Sequence, residues 1–325
     1  MQDALIAHMQ TRLLTQSDVL ACVSMQEAIT AVESAFRDYA LGQASMPPKI
    51  YLDVPGSGDF RAMPACIGNK AGIKWVSVHP QNPKQHNLPT VMATLILNDA
   101  HNAYPLAIMD ATMLTAFRTG AAAAVASKYL AMKSPKRLGI IGCGVQGRHL
   151  VDAHRVLFPE IEVLVADSNS AAAAAFATRM QARVVSMQEA AGADILCTAT
   201  PSYVPIVKRA WLASDVHINA MGADAQGKQE LESTILQNAC IFVDDTGQAH
   251  HSGEVNVPLS QGIIKAEQAS ATLGEVIAGK RLPPDRPCVS VFDSTGLAIQ
   301  DIAIAQIVLH AAEQKKIGQQ IDFLS

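Results

Sequence analysis

The glycine-rich segment at residues 142–147 constrains the fold of this chain more than any other feature. Its sequence, GCGVQG, fits the pattern G-x-G-x-x-G. It directly follows the apolar run LGII, which is typical of a buried strand, and it opens a stretch with helical spacing. A strand, a glycine turn and a helix in this order predict a dinucleotide-binding turn at the edge of a parallel α/β sheet.

Each position of this turn has a predicted role. Gly142 permits the tight turn, Gly144 lets the backbone approach a pyrophosphate, and Gly147 lets the helix pack closely on the strand. Val145 and Gln146 open the helix, whose amino end supplies amide donors and a positive dipole. The alternative is a glycine turn in an α/β protein that binds no nucleotide.

An acidic residue favours the nucleotide-binding alternative and predicts the type of cofactor. Asp167 ends the next apolar run, VLVAD, twenty residues after Gly147. A carboxylate at this place hydrogen-bonds the adenosine ribose and repels a 2′-phosphate. Residues 168–170, SNS, contain no arginine that would hold such a phosphate. We therefore expect NAD(H) as the cofactor, with NADP(H) as the second choice.

The distribution of strand and helix patterns predicts an α/β fold with two domains. From residue 137, the short apolar runs RLGIIGCG, EVLVADS, RVVS, ADILCTATP, HINAMGA, IFVDD and CVSVFDSTG occur, mostly with helical stretches between them. This order predicts a Rossmann-type, doubly wound parallel sheet. Before it, IYLDVP, FRAMPACIG, AGIKWVSVHP and TVMATLILND are separated by turn residues without an amphipathic helix, which predicts a mixed or antiparallel sheet.

Three helices are predicted around these sheets. Residues 24–41 begin with Ser24 and Glu27 at capping-box spacing and end before Gly42. An alanine-rich helix covers residues 113–132, and a last helix, residues 297–312, is expected to pack back on the first domain. A length of 325 residues supports two cores. We place the boundaries at 1–122 with 298–325, and at 123–297.

Composition excludes several classes of protein. The net charge of −4, from 25 Lys and Arg against 29 Asp and Glu, lacks the basic surface that duplex binding needs. The six cysteines show no metal-binding or C-x-x-C spacing. We expect them to be small, buried, reduced side chains of a protein in a reducing compartment. The amino-terminal segment does not resemble a signal peptide, and no apolar run approaches the roughly 20 residues of a membrane span. We therefore expect no nucleic acid or membrane partner, no metal and a cytoplasmic location.

Charged residues in apolar surroundings are the candidates for a reactive site. Arg61, Lys74 and Arg118 are the cations, and Asp224 follows a strand of the parallel sheet. Buried charges are rare unless they are paired or functional, and ligands bind at the carboxyl ends of such strands. Each residue alone is more often a structural ion pair, but together they suit a substrate carboxylate.

Other chemically versatile side chains are interpreted as structural. His79 and the adjacent His250 and His251 show no metal-ligand spacing and are expected to be structural or solvent-facing. The methionines at positions 46, 63, 92, 109 and 113 are expected in the core.

The chain resembles the ornithine cyclodeaminase/mu-crystallin family over essentially its whole length, particularly the archaeal-type alanine dehydrogenase and pyrroline-2-carboxylate reductase branch. The similar segments are MPPKIYLD, DFRAMPA, AGIKWVSVHP, LPTVMATLILND, PLAIMDAT, FRTGAAAA, IGCGVQG, HINAMGADAQGKQEL, GEVNVPL and FDSTGLAIQD. The resemblance implies that the domain beside the dinucleotide domain binds substrate and forms a homodimer, its sheets pairing across the two-fold axis.

The resemblance also implies roles for individual residues. Lys49, Arg61, Lys74 and Arg118 match positions that bind the substrate carboxylate or line its pocket, and Lys74 is the candidate for proton transfer. Asp224 matches the acid that holds the reacting nitrogen. The expected cofactor-binding set, besides the glycine turn and Asp167, is Arg118, Thr119, Thr200, Met221 and Gly222.

One departure from the family pattern bears on the substrate. Ornithine cyclodeaminases carry a glutamate two residues before a Met-Pro pair, where it holds the distal ammonium of ornithine. Here the pair is Met63-Pro64 and the matching residue is Arg61. A cation there would repel that ammonium.

Together with the predicted dinucleotide turn, the resemblance implies an NAD(P)H-dependent imino-acid reductase that acts on the C=N bond of a small 2-imino carboxylate. The first substrate choice is Δ1-pyrroline-2-carboxylate, which would give L-proline. The alternatives are L-alanine dehydrogenase, which aminates pyruvate reductively, ornithine cyclodeaminase, and a mu-crystallin-like protein that only binds a cofactor or ligand.

Overall fold

The computed structural model describes residues 10–132, 134–284 and 287–323 of the chain. In chain order, the strands and α-helices of these ranges are β1 (Thr11–Leu14), α1 (Gln16–Cys22), α2 (Met25–Ala40), β2 (Ala44–Ser45), β3 (Ile50–Val54), β4 (Gly58–Ile67), β5 (Lys70–Val78), α3 (Asn82–Gln85), β6 (Val91–Asp99), β7 (Pro105–Asp110), α4 (Thr112–Leu130), β8 (Arg137–Ile141), α5 (Val145–Leu157), β9 (Glu162–Ala166), α6 (Ser170–Met180), β10 (Arg183–Val184), α7 (Met187–Ala191), β11 (Ile195–Thr198), β12 (His217–Ala220), α8 (Ser233–Gln237), β13 (Cys240–Val243), α9 (Thr246–Ser252), α10 (Asn256–Ser260), α11 (Leu273–Ile277), β14 (Ser290–Asp293), α12 (Ala298–Lys315) and β15 (Gln319–Ile321).

Strands from both ends of the chain form the first sheet. Its order is β15-β1-β7-β6-β5-β4-β2, with β3 paired to β4. The pair β1–β7 is parallel, and the pairs from β3 to β7 are antiparallel. The prediction of a mixed or antiparallel meander is therefore confirmed. The sequence did not predict β1, β2, β7 and β15. β1, β2 and β15 have two to four residues, which is too short to show an alternating pattern, and β7 is a mostly apolar run, PLAIMD, without strict alternation.

The second sheet is parallel and has the order β10-β9-β8-β11-β12-β14-β13. Each of the seven apolar runs from residue 137 onward contains one of its strands. The predicted α/β, doubly wound architecture is therefore confirmed. Because all these strands point the same way, their carboxyl ends meet at one edge of the sheet, which we call the carboxyl edge.

The predicted helices are present with small shifts of their ends. α2 has Ser24 as its N-cap, and the Ser24 and Glu27 side chains each accept a hydrogen bond from the backbone amide of the other residue. This confirms the capping box. Its buried face consists of residues such as Ile29, Val32 and Phe36. The helices predicted at 113–132 and 297–312 correspond to α4 and α12.

Two helices bring the sheets together and thereby create the site. α4 contacts β6 of the first sheet and β12 and β14 of the second. α12 starts just after β14 and packs on β4 and β5 of the first sheet, as predicted for the last helix. Its close approach depends on Gly72 of β5, where a Cβ atom would lie 2.6 Å from the Cδ1 atom of Ile302. The carboxyl edge of the second sheet thus lies next to the face of the first sheet that α12 covers.

We propose the domain boundaries 1–122 with 298–325, and 123–297, because each sheet then lies within one domain. Residues 1–9, 324 and 325 of the first proposed domain, and 133, 285 and 286 of the second, lie outside the described residues. Within the described ranges no single helix is long and apolar enough to cross a membrane; α1 and α2 pass this test only as a pair bent by 84°.

The cysteines and methionines are less uniformly buried than predicted. Cys22 and Cys197 lie in the core, whereas the other four cysteines are partly exposed. Met63 and Met109 are core residues, as expected. The other three methionines singled out from the sequence, at positions 46, 92 and 113, are only partly buried. The core prediction therefore holds for a part of each set.

Candidate active site

The glycine turn connects β8 to α5 at the carboxyl edge. Gly142 has φ +110°, a conformation that side chains rarely adopt, and a Cβ atom there would lie 2.6 Å from the carbonyl oxygen of Ala199. A Cβ atom on Gly147 would collide with the carbonyl oxygen of Gly142. Both positions therefore require glycine, the first for its backbone conformation and the second for the close approach of α5.

The space beside this turn fits a dinucleotide. Nothing lies within 4 Å of the position that a Cβ atom of Gly144 would take. Gly144 is also the N-cap of α5 and offers no capping side chain, which leaves the amino end of the helix for a ligand. A cavity of about 410 Å³ adjoins it, and its lining includes Gly142, Gly144, Asp167, Ser168, Thr200 and Pro201.

Two polar side chains add to this fit. Asp167 accepts hydrogen bonds from the backbone amides of Cys143 and Asn169, both at 2.8 Å, and its carboxylate forms part of the cavity wall. Gln146, on the first turn of α5, has a buried side-chain oxygen without a hydrogen-bond partner among the described residues. Of the predicted cofactor-binding residues, Gly142, Gly144, Asp167 and Thr200 thus line one cavity, and Gln146 has an unsatisfied polar atom.

A buried carboxylate that sequence reasoning missed orders the next part of the carboxyl edge. Glu230 accepts hydrogen bonds from the amide and hydroxyl of Thr200, from the Thr198 hydroxyl and from the Gly222 amide, at 2.7–2.9 Å. It thereby ties the ends of β11 and β12 together. Gly222 has no room for a side chain, because a Cβ atom would lie 2.6 Å from the Glu230 carboxylate. Met221, between the last residue of β12 and Gly222, is buried.

Lys74 forms the most deeply buried ion pair of the site. It lies on β5, and its Nζ atom is 2.7 Å from Oδ2 of Asp301 on α12. Both side chains are 0% exposed. Burial lowers the pKa of Lys74 to about 7, although Asp301 opposes this shift. An ammonium group with such a pKa can give and take a proton near neutral pH.

Arg118 shares the same carboxylate. It projects from α4, and its Nε atom lies 3.6 Å from Oδ1 of Asp301. Its guanidinium group occupies the space above Gly296, where a Cβ atom would collide with Nη1. Gly296 has φ +81° and follows β14, so the absence of a side chain there makes the space for Arg118.

Arg61 is held by two carboxylates from different parts of the fold. Its Nε and Nη2 atoms donate to Asp59 at 2.7 and 3.2 Å, and Nη1 donates to Asp224 at 2.8 Å. Asp224 also accepts from Lys228 at 2.6 Å. Burial would raise the pKa of Asp224, but Arg61 and Lys228 outweigh it and hold that pKa well below its usual range. Asp224 is therefore a carboxylate at neutral pH.

This arrangement changes the interpretation of Arg61. As a positive charge that faces the substrate, Arg61 would disfavour ornithine. In the structure, Asp59 and Asp224 compensate that charge, and the guanidinium group is 5.3 Å from the ring centroid of Tyr51. The charge of Arg61 alone therefore does not decide which substrate side chain is accepted.

Lys49 completes the cationic cluster. Its ammonium group donates to the carbonyl oxygen of Thr295 at 2.6 Å. Burial lowers the pKa of Lys49 to about 8, while the positive charges of Arg61 and Arg118 lower it further and the negative charges of Asp244 and Asp224 oppose the shift. The predicted cations Lys49, Arg61, Lys74 and Arg118 are thus gathered in one region with Asp224.

The packing of α4 on α5 links this cluster to the glycine turn. A Cβ atom on Gly120 of α4 would collide with the carbonyl oxygen of His149 on α5, so the helices touch there. Thr119, the residue before, is buried, and its hydroxyl donates to the Thr115 carbonyl at 2.9 Å. Arg118 and Thr119 therefore directly precede the residue at which α4 touches α5.

The histidines are arranged as structural residues. His79 stacks edge-on against Phe60, and His250 hydrogen-bonds the carbonyl of Ala269 through Nε2 at 3.3 Å. His251 is exposed and lies beside Tyr51, with ring centroids 6.3 Å apart. Among the described residues, no group of three or more His, Cys, Asp or Glu side chains is placed to hold a metal ion.

Sequence reasoning missed the acidic partners of the predicted cations. These are Asp59, Asp301 and Asp244, of which Asp244 accepts hydrogen bonds from the amides of Thr295 and Gly296, both at 2.7 Å. Asp59 and Asp301 lie within the segments DFRAMPA and FDSTGLAIQD, which carry the family resemblance. The signal was therefore present, but only proximity in the fold shows which cation each acid contacts.

Chemically, the region offers donors for one carboxylate, a proton-transfer group and a permanent negative charge. Arg118 and Lys49 are cations of the cluster, and burial lowers the pKa of Lys74 to about 7. Asp224 can stabilise a positive charge that develops on a nitrogen. Lys49 and Arg118 contact the loop after β14, and Asp224 follows β12, so the cluster lies beside the carboxyl edge of the sheet that also bears the dinucleotide cavity.

Comparison with known proteins agrees with this geometry. The model of the ornithine cyclodeaminase/mu-crystallin family matches residues 9–316. An alanine dehydrogenase of Archaeoglobus fulgidus is 49% identical over 323 residues, which cover 97% of this chain and 99% of that protein. A Δ1-pyrroline-2-carboxylate reductase of Bacillus cereus is 32% identical over 93% of this chain and 96% of its own.

Solved structures show the same fold. An archaeal alanine dehydrogenase dimer with bound NAD has a TM-score of 0.94 and 48% identity, covering 97% of this chain and 100% of that one. The Δ1-pyrroline-2-carboxylate reductase of Thermococcus litoralis, in complex with NADH and L-proline, has a TM-score of 0.90 and 34% identity, covering 96% and 100%. The chain therefore belongs to the ornithine cyclodeaminase/mu-crystallin family.

Proposed function

We propose that this chain is an NAD-dependent oxidoreductase that reduces the C=N bond of a small 2-imino carboxylate to the corresponding amino acid. The observation that carries the proposal is one cluster in which Arg61 pairs with Asp224, Lys74 and Arg118 pair with Asp301, and Lys49 lies among them. It lies beside the carboxyl edge of the sheet whose first strand leads into the glycine turn. Relatives with bound NAD or NADH support NAD(H) as the cofactor. When bound, NADH supplies the hydride for the imine carbon.

The residues of the chain provide alignment and charge. Arg118 and Lys49 hold the carboxylate of the substrate, which turns the reaction into an effectively intramolecular one. Asp224 stabilises the positive charge of the protonated imine, and Lys74 delivers or removes the proton on nitrogen. Arg61 orients Asp224 through the ion pair between them.

The cofactor site divides into two parts. Gly142, Gly144 and Gly147 shape the turn that approaches the pyrophosphate, and Val145 and Gln146 present the amino end of α5. Asp167 hydrogen-bonds the adenosine ribose. The remaining cofactor contacts are assigned to Arg118, Thr119, Thr200, Met221 and Gly222. Thr200 lines the cavity, and Met221 and Gly222 follow β12 at the same edge of the sheet.

The first candidate substrate is the open-chain imine that forms from pyruvate and ammonia, which would make the protein an alanine dehydrogenase. The alanine dehydrogenase of Archaeoglobus fulgidus, at 49% identity over nearly the full length of both chains, supports it. The second candidate is Δ1-pyrroline-2-carboxylate, the first choice from the sequence alone. The Thermococcus litoralis complex with L-proline, at 34% identity, supports this cyclic imine.

Steady-state NADH oxidation distinguishes the candidates. The purified protein is assayed with pyruvate plus ammonium, with Δ1-pyrroline-2-carboxylate, and with neither. The substrate with the larger kcat/KM identifies the reaction, and NADPH in place of NADH tests the cofactor preference. Ornithine, assayed for ammonia release with NAD⁺, tests the cyclodeaminase alternative. Tight NADH binding without turnover of any substrate would refute the proposal and leave a binding protein.

We also propose that the chain forms a homodimer through the outer face of the first sheet. Trp75 and Ile96 are 41% and 38% exposed on this face, and Phe60 stacks on Trp75 with ring centroids 5.2 Å apart. Large apolar side chains that are exposed together on a sheet face are typical of a protein interface. The dimer with bound NAD among the similar structures supports this assembly.

A further inference from the structure

We propose that Asp301 is a positioning residue that sets the charge state of Lys74 and the orientation of Arg118. The inference rests on the proposed function and extends it to a residue of α12. Asp301 is assigned no contact with substrate or cofactor, so it would act through the two cations.

Three separate elements of the fold converge on this one carboxylate. Lys74 lies on β5, Arg118 on α4 and Asp301 on the first turn of α12. Oδ2 of Asp301 is 2.7 Å from Lys74 Nζ, and Oδ1 is 3.6 Å from Arg118 Nε. The two oxygens thus face different cations, and rotation of the carboxyl group would disturb both.

The charges around Lys74 make Asp301 necessary for its protonation. Lys74 is fully buried, and a buried ammonium group without a counter-charge loses its proton. The other charged groups that act on it, Arg118 from α4 and Lys49 from the segment before β3, are both positive. Asp301 is the negative charge that opposes them, and it keeps Lys74 able to hold a proton near neutral pH.

The backbone fixes Asp301 independently of the ion pair. α12 leaves the loop after β14, and Asp244 anchors that loop by accepting from the amides of Thr295 and Gly296. The neighbouring Ile302 sits over Gly72 of β5, two residues before Lys74. These contacts fix the position of Asp301. A residue that orients other side chains must itself be held rigidly in this way.

The pH dependence of kcat/KM for NADH-dependent imine reduction tests the proposal. In the reductive direction Lys74 gives a proton, so activity falls as pH rises through its pKa of about 7. Replacing Asp301→Asn removes the opposing negative charge, and we expect this alkaline limb to move down by about one pH unit or more. The KM for the carboxylate substrate should also rise, by about 10-fold, as Arg118 loses its partner.

Two further variants separate positioning from general damage. Asp301→Glu keeps the negative charge but moves it by the length of one methylene group. We therefore expect this variant to show the same alkaline limb as the wild type, with a lower kcat. Glu33→Gln is the matched control, because Glu33 pairs with Lys128 at the other end of α4, 2.8 Å away, and should leave both KM and the limb unchanged. An unshifted limb and an unchanged KM in Asp301→Asn would overturn the proposal.

A measurement without turnover keeps this test separate from that of the proposed function. If the wild type reduces neither imine, the proposed function fails, but urea unfolding as a function of pH still reports on Lys74. Above its native pKa, Lys74 holds one proton fewer in the folded than in the unfolded state, and the unfolding free energy rises with pH. Asp301→Asn should extend this one-proton rise below pH 7. Coincident pH slopes of the two proteins would contradict the assigned role. If Asp301→Asn does not fold, Asp301→Glu carries the test: it keeps the negative charge, so it should keep the wild-type pH slope of the unfolding free energy and, where there is turnover, the wild-type alkaline limb with a lower kcat. A shifted slope or limb in Asp301→Glu would contradict the role.

Discussion

Lys74 Nζ lies 2.7 Å from Oδ2 of Asp301, in a place where neither side chain is exposed to solvent. Such a pair is costly to bury, and replacement by apolar residues of similar volume often stabilises a protein. A chain that keeps the pair at the meeting point of its two sheets therefore does so at a cost in stability. Under the proposed function, that cost maintains a lysine able to exchange a proton near pH 7.

Replacement of Lys74 by methionine should separate binding from chemistry. Lys74→Met keeps most of the volume but removes the proton-transfer group, so we expect kcat to fall by about 10²- to 10⁴-fold. The affinity for NADH, measured by fluorescence titration, should stay within about 2-fold, because Lys74 is assigned no contact with the cofactor. A kcat within a factor of about three of the wild type would remove Lys74 from the reaction.

The same variant should change how stability depends on pH. The pKa of Lys74 is lowered from 10.5 to about 7 by burial, so between these values the unfolded chain binds the additional proton. The slope of the unfolding free energy against pH is therefore positive in this range. Lys74 contributes up to roughly 1.4 kcal/mol per pH unit to that slope. Urea unfolding of the wild type between pH 7 and 10 should show this slope, and Lys74→Met should lose it. Parallel pH profiles of the two proteins would show that Lys74 does not titrate in this range.

Arg118 is expected to contribute most of the binding energy for the substrate carboxylate. Arg118→Ala should lower kcat/KM by about 10²-fold or more, since a charge-assisted, bidentate contact is lost. Arg118→Lys should recover only part of this, because an ammonium group cannot form the planar pair. Circular dichroism and the unfolding midpoint serve as controls for folding. Near-normal kinetics of the alanine variant would place the carboxylate elsewhere.

Gly296 offers a way to disturb Arg118 without changing any charge. A Cβ atom at this position would collide with Nη1 of Arg118, and φ is +81°. We expect Gly296→Ala to raise the KM for the carboxylate substrate by about 10-fold and to destabilise the fold by about 1 kcal/mol from the backbone conformation. Gly262→Ala is a matched control, with φ +70° and open space around the added methyl group. Equal effects of the two variants on KM would refute the steric role.

Asp167 should decide between the two nicotinamide cofactors. It lies on the wall of the cavity beside Gly144, where it would accept from the ribose hydroxyls and repel a 2′-phosphate. Asp167→Ala is expected to raise the KM for NADH more than the KM for NADPH. The ratio of the KM for NADPH to the KM for NADH should therefore fall by at least about 10-fold. Steady-state kinetics with each cofactor measure this ratio, and an unchanged ratio would mean that Asp167 does not contact the ribose.

The proposed dimer makes a separate prediction about the outer face of the first sheet. Trp75→Glu places a charge in the exposed apolar patch, and burial of an unpaired charge in an interface is strongly unfavourable. Light scattering after size-exclusion chromatography should give twice the mass of 34.5 kDa for the wild type and a smaller mass for the variant. Lys84→Glu, on the short helix α3, is the control for a change of charge alone. A monomeric wild type would reject this interface.

The dinucleotide turn was predictable from sequence because its evidence is local. Gly142, Gly144 and Gly147 lie within six residues of one another and directly after a strand, so the pattern and its structural context can be read together. Ser24 and Glu27 were predictable for the same reason, since a capping box spans only four residues.

The ion pairs of the site could not be predicted in this way, because their partners are far apart in the chain. Lys74 and Asp301 are separated by more than two hundred residues, and Arg61 and Asp224 by 163. The sequence identified the cations as unusual charges in apolar segments. Only the packing of α12 on β5 shows that Asp301 is the counter-charge of Lys74, and only the loop after β12 brings Asp224 to Arg61.

The contact between Arg61 and Asp224 also joins the two halves of the molecule. Arg61 belongs to β4 of the mixed sheet, whereas Asp224 follows β12 of the parallel sheet. Any hinge motion that widened the cleft would have to pull this guanidinium and this carboxylate apart and hydrate both. Since added salt screens separated charges, the ease of opening, and with it the rate at which ligands enter and leave, should respond to ionic strength.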